Sequence, residues 1–94
     1  MKLTVSNEAA SWYKEELSLS PPAFVRFFPR YGFGGHIPGF SIGISNQSPT
    51  EVYKSTEVDQ VTFFIENEDA WYFQDINLNV NFNETLQEAE FTYQ

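Results

Sequence analysis

RFFPRYGFGGHIPGFSIGI, residues 26–44, joins an alternating apolar segment to a glycine-dense connection and then to a second alternating segment. A period of two in apolar side chains marks a strand whose two faces meet different surroundings. Extended backwards, the first segment puts Phe24, Arg26, Phe28 and Arg30 on one side and Val25 and Phe27 on the other. In the second segment Phe40, Ile42 and Ile44 share a face opposite Ser41 and Gly43, which predicts a half-buried strand able to pair back on the first. Pro29 has no ladder donor and so places an edge or a bulge at that point. The connection carries Gly32, Gly34, Gly35 and Gly39, a density that predicts tight turns or close approach by another group.

Working outward, Ser6 is the expected N-cap of a helix with Asn7 and Glu8 in its first turn, where negative charge is favourable. Ala9, Trp12, Tyr13 and Leu17 recur near the helical period and form the side to be covered, and Pro21 and Pro22 return the chain to an extended course. On the other flank NQSPT, residues 46–50, reads as a turn before a short edge strand at 51–55. Val61, Phe63 and Ile65 alternate with Thr62, Phe64 and Glu66, a strand with apolar character on both faces. A short helical turn follows, with Asn67 or Asp69 as its expected cap, carrying Trp71, Tyr72 and Phe73. Ile76, Leu78, Val80 and Phe82 alternate with Asn77, Asn79 and Asn81, the cleanest one-sided strand signal in the chain. A last strand is expected at 91–93. The pattern predicts a single α+β domain over 1–94, an N-terminal helix with mostly antiparallel or mixed sheets. Its expected core contains Val25, Phe27, Phe40, Ile42, Phe63, Ile65, Ile76, Leu78 and Val80.

Composition narrows the function. Ninety-four residues with ten Phe, five Tyr and two Trp suffice for one compact core. The absence of cysteine removes disulfides, thiolate metal sites and cysteine nucleophiles. Five basic against thirteen acidic residues give a formal charge of -8, which repels phosphate backbones and anionic membranes, so neither nucleic acid nor membrane is an expected partner. No stretch approaches the roughly 18 apolar residues of a membrane span, and a cytoplasmic protein is the expectation.

GGHIPGFSIGI at 34–44 resembles the glycine-rich signature of the HesB/IscA-like iron–sulfur biogenesis domain. LTVSNEAASW resembles that family's opening, where a short strand enters a helix, and VDQVTFFIENEDAWYF followed by INLNVNF resembles its central strand, connecting turn and late strand. The similarity spans nearly the whole chain and looks closest to the short, cysteine-free, YneR-like branch. It implies a HesB-like fold and an iron–sulfur or metal-homeostasis context. In the cluster carriers a cysteine lies in the glycine-rich turn, near the position of His36, Ile37 and Pro38 here, and a Cys-Gly-Cys follows at the C-terminal end. This chain instead closes on NETLQEAEFTYQ, so the resemblance implies the scaffold without the cluster, and no cofactor is expected.

The candidate contact residues are Arg26, Arg30, Tyr31, Gly35 and His36. Arginine offers a planar fork to a carboxylate or phosphate, and tyrosine an apolar face with a hydroxyl. The partner classes they admit are an acidic protein or a small anion, and a homodimer is also compatible. The simpler reading pairs the arginines with some of the thirteen acids. His36 is the lone imidazole, with three roles open to it: packing, contact with a partner or small ligand, and metal ligation. A single ligand does not make a metal site. Ser41 and Ser45 lie near His36 in sequence, yet a hydrolase needs an oriented base and an oxyanion site that adjacency does not supply. The glycines lack the Lys-Ser/Thr of a phosphate loop. The acid pairs Glu15 with Glu16 and Glu66 with Glu68 read as solubilising surface. The expected function is a noncatalytic accessory or binding protein working through a surface that includes the 30–39 turn. Its alternatives are a divergent assembly factor using His36 and, as a different class, a small enzyme.

Overall fold

The computed structural model describes residues 1–94 as seven strands, two α-helices and one 3-10 turn. In chain order these are β1 (Leu3–Val5), α1 (Asn7–Glu16), β2 (Ala23–Tyr31), β3 (Phe40–Ser45), β4 (Val52–Val58), β5 (Val61–Glu66), the 3-10 turn (Asn67–Asp69), α2 (Ala70–Phe73), β6 (Leu78–Asn83) and β7 (Glu88–Tyr93). The strands form two sheets, β1-β6-β7 and β3-β2-β5-β4. Each sheet is mixed. β1 runs parallel to β6, with Leu3 opposite Leu78, and β2 runs parallel to β5, with Val25 opposite Phe63. The remaining pairs are antiparallel, including the β2–β3 hairpin, in which Phe27 faces Ile44 and Tyr31 faces Phe40. This is the expected α+β architecture.

The helix begins where Ser6 places it. Its hydroxyl accepts the Ala9 amide at 3.1 Å, and the Ser6 amide donates to the Val80 carbonyl at 2.9 Å, so one residue caps α1 and ties it to β6. Ala9 and Ala10 are fully buried, and their small side chains let the helix lie close to the sheet. Tyr13 projects between the layers, 6.0 Å from the Phe27 ring and 5.8 Å from Phe63, and burial pushes its phenol pKa well up. Phe27 stacks on Phe63 at 5.8 Å and meets Phe91 of the other sheet edge-on at 5.4 Å. The core therefore lies where helix and both sheets converge on Phe27.

Several expectations need correction. Phe40 and Ile76 are only partly buried, and Ile76 precedes β6. Val61, Phe64, Tyr72 and Phe73 are fully buried instead. Phe64 sits on the outer face of its sheet, closed over by Phe24, whose ring meets it edge-on at 6.4 Å. Asp69 stands at the N-cap position of α2 but makes no side-chain capping bond, because its carboxylate turns to Arg26, and Asn67 opens the 3-10 turn instead. The last strand starts at Glu88, so the acidic tail is largely paired with β6. Glu66 is 4% exposed and is no solubilising surface group. Its carboxylate accepts the Thr50 hydroxyl and the Thr50 and Glu51 amides, anchoring the turn before β4. Pro29 lies in a strand with neighbours on both sides, but the β5 pairing ends at Arg26, so on that side Pro29 occupies an edge. No helix is long and apolar enough to cross a membrane.

Candidate functional site

The glycine-dense connection closes the β2–β3 hairpin, and its backbone conformation depends on residues without side chains. Gly34 and Gly39 have φ of +94° and +88°, a region that other residues adopt only at a cost. The Gly32 amide donates to the Gly39 carbonyl at 3.1 Å, and the Gly35 amide to the Phe40 carbonyl at 3.0 Å. A β-carbon at Gly35 would collide with the Tyr72 hydroxyl and the Phe40 carbonyl. The turn is thereby pressed against α2.

His36 follows the same path inward. Its ring lies 4.5 Å from that of Tyr72 and 5.2 Å from that of Tyr93, bringing the turn, α2 and the end of β7 together. Nε2 of His36 and the Tyr72 hydroxyl are both buried without a hydrogen-bond partner. Burial, followed by the adjacent Tyr72, raises the Tyr93 phenol pKa to about 12. No three His, Asp or Glu side chains are placed so that they could hold a metal ion, here or elsewhere in the chain. Ser45 donates to Gln47 at 2.6 Å, and neither it nor Ser41 is hydrogen-bonded to His36. The arrangement is one of packing and positioning.

The arginines separate. Arg26 is turned to the 3-10 turn, where Nη2 donates to Glu68 at 2.8 Å and Asp69 at 2.7 Å, and its guanidinium lies 5.4 Å from the Phe28 ring centroid. Burial alone would lower the guanidinium pKa. The hydrogen bond and charge of Asp69, then those of Glu68, outweigh it and raise the pKa. Arg30, about 13 Å further along the strand, is exposed and makes no ion pair. Its stem crosses Gly43, where a β-carbon would lie 3.1 Å from Arg30 Cδ. Tyr31 is 88% exposed and stacks on Phe40 at 5.4 Å; Phe40 in turn meets Trp71 edge-on at 5.5 Å and Tyr72 at 5.8 Å.

The five candidates thus divide into an inner pair, Gly35 and His36, that docks the turn, an outer pair, Arg30 and Tyr31, that faces solvent, and Arg26, which holds α2 to the sheet. Two residues of the outer surface are not among the candidates: Phe33, 98% exposed, and Trp71, half exposed. A signal for this surface does exist in the sequence. All thirteen acids lie outside residues 17–50, the segment that holds Arg26, Arg30, His36 and the glycine turn.

No protein-family profile matches this sequence. The chain is 43% identical to the pyruvate dehydrogenase inhibitor of Bacillus subtilis over 95 residues, covering all of both chains. It is 33% identical, over 97% of both chains, to an uncharacterised protein of Staphylococcus saprophyticus. Among solved structures it resembles Escherichia coli SufA, involved in biosynthesis of iron–sulfur clusters, with a TM-score of 0.64 and 18% identity over 99% of this chain and 79% of that one. IscA crystallised with its [2Fe-2S] cluster gives a TM-score of 0.56 at 14% identity, over 98% of this chain and 80% of that one. At such identities the likeness concerns the fold. A cluster of that kind does not suit the donors present here, since this chain has no thiolate and its one imidazole packs between two tyrosines. With the glycine turn, the mixed sheets and the end-to-end identity taken together, the chain belongs to the family of the Bacillus subtilis pyruvate dehydrogenase inhibitor, built on the fold of the IscA and SufA proteins.

Proposed function

We propose that this chain is a noncatalytic binding protein of the cysteine-free, HesB-like branch that acts in the cytoplasm by binding a pyruvate dehydrogenase and lowering its activity. The observation that carries this reading is the 43% identity, without truncation of either chain, to a protein named for that inhibition. The chemistry of the chain agrees with it. A scaffold shared with cluster-assembly proteins but lacking thiolates keeps its shape and loses their ligands, leaving recognition as the use of its surface. At the glycine turn, Nε2 of His36 and the hydroxyl of Tyr72 are buried.

The test is direct. The purified chain is titrated into the pyruvate dehydrogenase of the same organism while pyruvate-dependent turnover is followed, and complex formation is read by gel filtration. Saturable loss of turnover with co-elution supports the proposal. Full turnover and separate elution at tens of micromolar would reject it. Anaerobic reconstitution checks the assembly-factor alternative. Near-stoichiometric iron and sulfide retained on the chain, and lost in His36→Ala, would favour that alternative.

A further inference from the structure

Beyond the function just proposed, and resting on it, we infer that the chain docks through the aromatic end of its β2–β3 hairpin, Arg30, Tyr31, Phe33, Phe40 and Trp71. The complementary surface on the pyruvate dehydrogenase is an apolar pocket rimmed by carboxylates.

Three independent observations meet at this end of the molecule. The first is exposure. Phe33 at 98% and Tyr31 at 88% are more exposed than any other large apolar side chain, while Phe27, Phe63, Phe64 and Phe73 are wholly buried. Aromatic and arginine side chains are the residues from which binding hot spots are made. The second is rigidity. Tyr31 rests on Phe40, Phe40 on Trp71 and Tyr72, and Tyr72 is fully buried in the core. Gly35, pressed on Tyr72, fixes the turn that carries Phe33. A platform held in this way loses little freedom on binding.

The third is charge, and it selects the occupant. The hairpin lies in the one long segment without acids, and Arg30 is left without an ion pair. The two acids just before Trp71, Glu68 and Asp69, are engaged by Arg26. A chain of formal charge -8 is repelled by an acidic partner over most of its surface, so an acidic rim would orient it with this end foremost. In a two-fold contact with a second copy this end would meet itself, setting Arg30 against Arg30 with no carboxylate to receive either.

The experiment measures affinity for the purified pyruvate dehydrogenase by surface-immobilised binding, at low and high salt. Phe33→Ser and Tyr31→Ser, both at exposed positions, should keep the wild-type melting temperature and weaken binding about thirtyfold or more, the scale of a hot-spot residue. Arg30→Glu should weaken it about tenfold and flatten its salt dependence, and Arg30→Lys should recover part of the loss. Leu86→Ser, at an exposed apolar position in the β6–β7 turn, should bind as wild type. If the wild-type chain binds and the hairpin variants bind equally well, the surface is wrong and the function stands. If the wild-type chain does not bind, both fall. A hairpin-dependent homodimer whose disruption leaves enzyme binding intact would also overturn the assignment and give this surface to self-association.

Discussion

Arg26→Leu tests how α2 is held to the sheet. Arg26 and Asp69 have side chains only 17% and 12% exposed, whereas Glu68, the second partner of the same Nη2, is 74% exposed. Removing the guanidinium leaves the Asp69 carboxylate largely out of water with no counter-charge, a change that costs about 3 kcal/mol in buried pairs. Losing the exposed Glu68 contact should cost under about 1 kcal/mol. For a domain of this size, 3 kcal/mol corresponds to a fall in Tm of roughly 12 to 24 °C. Arg26→Leu, Glu68→Gln, Asp69→Leu and the double variant Arg26→Leu/Asp69→Leu, compared by urea unfolding, isolate the pair. The double variant should be more stable than the sum of the two single losses predicts, because it removes the charge that Arg26→Leu strands. If Arg26→Leu is no worse than Glu68→Gln, or the two single losses simply add, Asp69 is not the anchor.

Three other perturbations probe separate parts of the molecule. Phe27→Ala empties the point where helix and both sheets meet and should cost about 3 to 5 kcal/mol in urea unfolding, against about 1 kcal/mol for Phe24→Ala on the outer face. Gly35→Ala should destabilise by about 1 to 3 kcal/mol, since its β-carbon would collide with both the Tyr72 hydroxyl and the Phe40 carbonyl and force a shift, and should also alter the aromatic circular dichroism of Tyr72 and Trp71. The Thr50 hydroxyl, opposed by burial and assisted by the Thr50 and Glu51 amides and then Arg26, holds the Glu66 carboxyl below its ordinary pKa. The folded state therefore favours the ionised form, and this stabilisation is present above the ordinary carboxylate range and lost as pH falls through the depressed value. Tm of the wild type should fall with acidification more steeply than that of Glu66→Gln, and parallel curves would contradict the assignment.

Alkaline behaviour follows the opposite sign. The raised phenol of Tyr93 keeps its proton in the folded state while the unfolded chain ionises, so stability should decline between pH 10 and about 12, less so in Tyr93→Phe. A spectrophotometric tyrosine titration with Tm measured alongside checks it.

Local periodicity determined much of this protein. The alternation of Val25 with Phe27 and of Leu78 with Val80, the Ser6 cap and the glycine-dense hairpin are nearest-neighbour patterns, and each maps to its element because side-chain direction repeats every two residues in a strand and every 3.6 in a helix. The α+β class and most of its elements were legible from them, and the composition alone removed thiolate chemistry. Tertiary structure decided what depends on distant residues meeting. Arg26 was indistinguishable in pattern from Arg30, but the 3-10 turn brings Glu68 and Asp69 to the first and nothing to the second. Glu66 looked like surface until Thr50 and Glu51 folded over it. Tyr72 and Trp71, adjacent on one short helix, went to the core and to solvent, because a single turn carries no period from which a buried face can be read. His36 was fully open in role along the chain, and its packing was decided by the approach of Tyr72 from α2 and Tyr93 from the last strand. Contacts across 15 to 57 residues of chain are set by topology, and no local spacing encodes them.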